Sequence, residues 1–332
     1  MHPSLDPAVR HLIAELDALG EPGAEGLDDL TPEQARAWYT VLRRILGGER
    51  TAPEVASVHD AQVLDGAHAV PVRVYDTEES IMMPDRVVLC VHGGGWVVGD
   101  LDGADHLARS AARRLRARVV SVDYRLAPEH VFPAAYDDCA AVLAELSRTH
   151  PEARIAGVGD SAGANLVGAL AAASRHRDDL RVDAQLLLYP ALDPSMASDS
   201  MSRMAEGYIL TKADMAYYWS CYLRDPAHAS DPRATPAALA DLAGMPPTVL
   251  VTAGFDPLHD EGMAYARRLV AADVATAYLP FPSLVHGFAD MAGRVPAALD
   301  ALDNALAALD LYFGAATPQR RLGPASSEVS PI

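Results

Sequence analysis

From about residue 54 onward, short apolar runs alternate with amphipathic segments. The runs Arg86–Val91, Arg118–Val122, Arg154–Val158, Ala184–Tyr189, Thr248–Ala253 and Thr276–Phe281 are almost continuously apolar, the pattern of strands covered on both faces. Between them, Asp105–Ala117, Pro133–Thr149, Ser161–Arg177, Asp260–Ala272 and Pro296–Phe313 carry apolar residues at helical spacing. This β-α-β-α order predicts an α/β fold with a mostly parallel central sheet and helices on both faces. Ahead of it, Val55–Leu64 and His68–Tyr75 flank the turn pair Asp65-Gly66 and predict an antiparallel hairpin at one sheet edge.

Two stretches depart from the alternation. Residues 1–50 carry two amphipathic helices, Leu5–Leu19 and Thr31–Leu46, the second opened by the capping signal Thr31-Pro32-Glu33-Gln34. Residues 191–242 replace a short strand-to-helix loop with an insertion that contains the aromatic helix Thr211–Leu223. Insertions at strand ends cover sites, so both stretches are expected to form a helical cap. The α/β domain is then residues 51–190 and 243–314. Residues 315–332 are rich in Pro, Ser, Gly and Arg without periodicity and are expected to be disordered.

Composition narrows the function classes. The 332-residue chain is 50% hydrophobic, enough for one large α/β domain with an accessory element, and holds no unbroken apolar run of membrane-spanning length. A formal charge of -18 disfavours nucleic acid and anionic membrane surfaces as partners. The segment Met1-His2-Pro3-Ser4-Leu5-Asp6 lacks the basic and apolar regions of a secretory signal, which points to the cytoplasm. Cys90, Cys139 and Cys221 are widely spaced and odd in number, suggesting neither a disulfide framework nor a metal site.

The candidate chemistry begins at Gly159-Asp160-Ser161-Ala162-Gly163. Here a serine sits between glycines where an apolar run meets a helix rich in small residues, the pattern of a nucleophile elbow. A serine hydroxyl needs a base within hydrogen-bond reach and an acid to orient that base. His286 follows the strand at Thr276–Phe281, and Asp256 lies just past the strand at Thr248, where loops of a parallel sheet build sites. Asp260 and Glu261 compete for the acid's role, but they open a helix and are explained by capping and the dipole. His92-Gly93-Gly94-Gly95-Trp96 follows another strand, and its bare backbone offers N–H donors for an oxyanion. The absence of Gly-Lys-Ser/Thr and the bulk of Trp96 argue against a phosphate loop. Ala162 would add a donor at the helix start.

Together with Asp123-Tyr124-Arg125-Leu126-Ala127-Pro128-Glu129-His130 and Phe132-Pro133-Ala134, these motifs make the chain resemble the hormone-sensitive-lipase-like group of α/β-hydrolases, the bacterial family IV esterases. The likeness runs from residue 1 to about 314. It implies Ser161, Asp256 and His286 as the triad, Gly94, Gly95 and Ala162 as oxyanion donors, and a cap lining the acyl pocket. The segment from Tyr124 to His130 reads as a structural turn whose charges fix the loop. Candidate pocket residues are Trp96, Trp38, Tyr208, Leu258 and Phe288, with Tyr39, Tyr217, Tyr218 and Trp219 as further cap aromatics. One departure is Ala164, where many relatives carry another glycine.

The expected activity is hydrolysis of short to medium acyl esters through an acyl-enzyme on Ser161, without metal or organic cofactor. The same triad would also serve an amide, a formamide, a lactone or an ester-forming cyclisation. A non-catalytic small-molecule receptor is the reading from another class, and retention of all three triad residues disfavours it. The expected partner is a small-molecule ester, met by a monomer or homodimer.

Overall fold

The computed structural model describes residues 4–20, 27–48, 52–66 and 68–314. The tail expected to be disordered, residues 315–332, lies outside the described residues. The strands are β1 (Ser57–Asp65), β2 (His68–Asp76), β3 (Arg86–Val91), β4 (Arg118–Val122), β5 (Arg154–Asp160), β6 (Ala184–Leu188), β7 (Thr248–Phe255) and β8 (Thr276–Val285). They form one sheet in the order β1-β2-β4-β3-β5-β6-β7-β8. The edge hairpin pairs Val63 with Val70, and β2 is antiparallel to β4 as well. β2 is therefore the one strand of this sheet that runs against the rest, and from β4 to β8 every pairing is parallel.

The helices are α1 (Pro7–Leu19), α2 (Pro32–Gly47), α3 (Glu78–Met82), α4 (Leu101–Leu115), α5 (Ala134–Thr149), α6 (Ala162–Ala173), α7 (Asp199–Arg203), α8 (Lys212–Tyr222), α9 (His259–Ala271) and α10 (Pro296–Gly314). The strand pleat sorts side chains between two cores. Val87, Leu89 and Val91 of β3 join one apolar cluster, whereas Val88 and Cys90 join the other. All five are buried, and each full burial contributes about 1.5–3 kcal/mol. Among the described residues, no helix is long and apolar enough to cross a membrane.

Some boundaries move for identifiable reasons. α4 starts at Leu101, four residues before the expected Asp105, because the Asp100 carboxylate caps the Gly103 N–H at 2.7 Å. β8 runs on through Pro280 and Pro282 to Val285, which an edge strand tolerates because one row of its backbone groups needs no partner. His286 thus follows β8 directly rather than after a short turn.

Topology selects the place for a site. The chain steps from β3 to β4 on one side, then returns to add β5 on the other. The crevice outside the C-terminal ends of β3 and β5 is a topological switch point, where open α/β sheets bind ligands. The loops leaving those two ends are Val91 to Gly95 and Asp160 to Ser161.

Candidate active site

The β5-to-α6 turn is as tight as backbone allows. Ser161 has φ 51° and ψ -117°, a strained geometry for a residue with a Cβ, costing about 1–3 kcal/mol. A Cβ on Gly159 would lie 2.5 Å from the Gly163 carbonyl carbon, and one on Gly163 would lie 2.0 Å from Val91 O. Both glycines are therefore required by backbone that has nowhere to move. Ser161 is 9% exposed and His286 8%, so the pair is nearly shielded while the hydroxyl still meets the cavity.

The structure brings the three expected residues together. His286 Nε2 lies 3.0 Å from Ser161 Oγ, and His286 Nδ1 lies 2.9 Å from Asp256 Oδ2. The other Asp256 oxygen accepts the Leu258 N–H at 2.8 Å. With a carboxylate on Nδ1, that nitrogen carries the proton and Nε2 is left to accept from the serine. Asp256 is fully buried.

The competing acids have other partners. Glu261 accepts the Leu192 N–H at 2.6 Å and the Asp193 N–H at 3.3 Å, while Asp260 accepts the Ser200 N–H at 2.8 Å. Both carboxylates thus tie α9 to the 191–242 insertion instead of capping their own helix, a correction to the expectation. Burial raises the Glu261 carboxyl well above its ordinary range, against the pull of those N–H groups. Asn165 on α6 adds to the tie by donating to Ala191 O at 2.7 Å and Ala234 O at 2.8 Å.

The glycine loop is shaped by its neighbours. Gly94 has φ 119° and Gly95 φ 57°. A Cβ on Gly95 would lie 2.2 Å from Tyr218 Cγ, so the ring from α8 rests on bare backbone. Gly93 donates its N–H to Asp160 Oδ1 at 2.8 Å, linking this loop to the residue before Ser161. His92 lies beneath: its Nδ1 bonds Gly93 O at 2.7 Å, its ring stacks on Tyr124 at 4.3 Å, and Tyr124 Oη donates to His92 O at 2.9 Å. Burial pushes the His92 imidazole down to about 4, so it stays neutral at neutral pH and serves as scaffold.

Charges from α2 reach the same loops. Arg36 donates to Val97 O at 2.9 Å and forms a two-pronged pair with Glu129 at 2.9 and 2.7 Å. Arg125 pairs with buried Asp138 at 2.7 Å. Arg43 pairs with Asp290, four residues past His286, at 2.5 Å. Burial and the Asp290 charge push the Asp160 carboxyl up to about 6, opposed by Arg43, the Gly93 N–H and His286. Nothing in the local sequence pattern marked Arg43 or Asp290; their pairing spans 247 positions.

A cavity of about 140 Å³ opens onto Ser161 and His286, lined by Gly94, Gly95, Trp38, Tyr39, Met215 and Tyr218 among others. Of the expected pocket residues, Trp38 lies in this lining. Trp96, Tyr208, Leu258 and Phe288 do not, and each is corrected by its packing. Trp96 is fully buried, stacked on Tyr222 at 4.4 Å and 1°. Tyr208 packs against Phe255 at 5.1 Å, Phe288 against Tyr189 at 5.1 Å, and Leu258 is 1% exposed. Among the other cap aromatics Tyr39 and Tyr218 line the cavity, whereas Tyr217 and Trp219 do not. The sequence pattern gave no weight to the aliphatic wall of Leu27, Leu42, Leu46, Ile209 and Leu210. Among the described residues, no group of three or more His, Cys, Asp or Glu side chains is placed to hold a metal ion.

A parallel sheet with a strained serine at its switch point, a histidine and an aspartate in line, and a glycine loop alongside define an α/β-hydrolase. Residues 88–290 match the family model described as the alpha/beta hydrolase fold. The chain is 36% identical to carboxylesterase NlhH of Mycobacterium tuberculosis over 317 residues, 92% of this chain and 96% of that one. It is 33% identical to an ethyl acetate hydrolase of Pseudomonas putida over 294 residues, covering 86% and 91%. Among solved structures, an ester hydrolase from a Lake Arreo metagenome, complexed with a bipyridine phosphonate derivative, superposes with TM-score 0.86. That match has 35% identity and covers 94% of this chain and all of the other. The chain belongs to the α/β-hydrolase family, in its hormone-sensitive-lipase-like group.

Proposed function

We propose that the protein is a serine carboxylesterase in which Ser161 carries the acyl group. The observation that carries this is the unbroken series from Asp256 through His286 to Ser161, with contacts of 2.9 and 3.0 Å, opening on a cavity beside Gly94 and Gly95. His286 Nε2 takes the serine proton as Oγ attacks the ester carbon, and Asp256 stabilises the imidazolium that forms. The N–H groups of Gly94, Gly95 and Ala162 hold the oxyanion. The imidazolium protonates the departing alcohol, and water then repeats the sequence on the acyl-enzyme.

Residues 1–50 and 191–242 act as the cap, and its aliphatic wall suits acyl chains of short to medium length. The reading includes a cytoplasmic protein, monomer or homodimer, acting on a small-molecule ester. A kcat/KM series on p-nitrophenyl esters from acetyl to dodecanoyl, with matched amides and lactones, tests it. The expected optimum falls between acetyl and hexanoyl. Turnover confined to an amide or a lactone, or an optimum at dodecanoyl, would overturn it.

A further inference from the structure

The charges beneath the nucleophile do not all come from the catalytic sheet. Asp160 closes β5 and holds the Gly93 N–H, and Asp290 sits in the turn Phe288–Met291 just past His286. Both carboxylates line the cavity that holds Ser161 and His286. Two anions in one nearly closed space repel each other and resist desolvation, so a cation must balance them. That cation arrives from residues far upstream, on a helix whose amphipathic pattern suggested only a cover.

Arg43 projects from α2 with its side chain 10% exposed, and its Nη2 meets Asp290 Oδ1 at 2.5 Å. A Cβ on Gly103 would lie 2.8 Å from Arg43 Nη1, so the guanidinium lies against the backbone of α4 at a glycine. The guanidinium carbon stands 5.5 Å from the centre of the Tyr39 ring. Burial opposes the charge, but the carboxylates of Asp290 and Asp160 hold Arg43 protonated well above its ordinary value. A long cation kept this dry, on one rigid partner and one bare helix surface, is placed rather than merely tolerated.

We propose that Arg43 is a positioning residue of the active site: from α2 it balances Asp290 and Asp160, and so keeps the His286 segment and the oxyanion loop in their working arrangement. The proposal rests on the Ser161–His286 reading above and extends it by making the N-terminal helix part of the electrostatic machinery. The groups facing Arg43 come from several elements. They are Tyr39 on α2, Asp290 in its turn, Asp160 at the end of β5 and Tyr189 after β6. Cys90 on β3 and His92 after it also feel its charge. Removing the cation raises the proton affinity of Asp160, and removing Asp290 alone, which leaves the cation in excess, lowers it.

The test compares pH profiles of kcat/KM for p-nitrophenyl butyrate, with melting temperatures, in the wild type, R43M, D290N and the R43M/D290N double variant. R43M should lower kcat at least about tenfold with KM nearly unchanged, and move the acid limb up by about one pH unit. D290N should move the limb down, and the double variant should bring it back toward the wild-type position. A purely structural ion pair would lower the melting temperature in all three without opposite shifts. Coincident limbs in R43M and D290N would therefore overturn the proposal. R43K, which keeps the charge, should hold the limb near wild type; a limb displaced as far as in R43M contradicts it. Should R43M not fold, the downward shift in D290N and the unmoved limb in R43K remain decisive. Fluorophosphonate labelling of the wild type separates the two readings. Labelled Ser161 with coincident limbs removes only the role of Arg43, whereas unlabelled Ser161 removes the esterase reading beneath it.

Discussion

Replacing Asp256 by asparagine is isosteric, yet it reverses the proton on His286. One Asp256 oxygen accepts the Leu258 N–H at 2.8 Å and the other faces His286 Nδ1 at 2.9 Å. An asparagine keeps its carbonyl on Leu258 and turns its NH2 toward Nδ1. Nδ1 must then accept, which puts the ring proton on Nε2, facing Ser161 Oγ at 3.0 Å. A protonated Nε2 cannot take the serine proton. Restoring the productive tautomer would set two buried donors against each other, at about 1–3 kcal/mol, and the imidazolium loses a charged partner worth about 1.5–3 kcal/mol. Their sum, about 2.5–6 kcal/mol, corresponds to a fall in kcat of roughly 10²–10⁴. Steady-state hydrolysis of p-nitrophenyl butyrate should show that fall with KM little changed and the melting temperature close to wild type. A loss below about tenfold in a folded D256N protein would refute the assignment of Asp256 as the orienting acid.

Three further outcomes follow from particular contacts. Gly95→Ala would drive a methyl into Tyr218 Cγ at 2.2 Å, so the loop or the ring must shift; kcat/KM should fall about 100-fold, and activity within about threefold of wild type would contradict the packing. Trp38→Ala removes one cavity wall: KM for the butyryl ester should rise about tenfold and the chain-length optimum should move to longer acyl groups, whereas an unchanged chain-length profile would place Trp38 outside the acyl path. Burial lowers the His92 imidazole to about 4, below its unfolded value of about 6.5. The stability this contributes is complete above pH 6.5 and is lost as pH falls through about 4. Chemical denaturation from pH 7 to 4 should cost the wild type about 3 kcal/mol more than His92→Asn; parallel curves would count against His92 as a neutral scaffold.

The legible parts of this molecule are those where chemistry is local. Continuous apolar runs marked the buried strands, and Asp65-Gly66 marked the hairpin. The glycines at 159 and 163 advertised a turn that a Cβ would break at 2.5 and 2.0 Å. Position just past a strand also brought forward His286 and Asp256. The parts that stayed hidden depend on distant partners. Aromatic content made Trp96 look like a pocket residue, but Tyr222, far along the chain, claims its ring in a flat stack. Helix-start acids look alike in sequence, yet Glu261 and Asp260 reach across to the insertion. The second antiparallel pairing of β2 comes from a strand-order choice that no hairpin signal encodes. Arg43 was one arginine on an amphipathic helix until Asp290 closed on it.

The central claim is that Ser161 is an activated nucleophile, and it is tested most directly by titration with a fluorophosphonate followed by peptide mass spectrometry. One equivalent of label on Ser161, with ester hydrolysis lost in step, is the predicted result, together with a Ser161→Ala protein that folds, takes no label and does not turn over. A Ser161→Ala protein hydrolysing esters near the wild-type rate, or stoichiometric label on another residue, would contradict it.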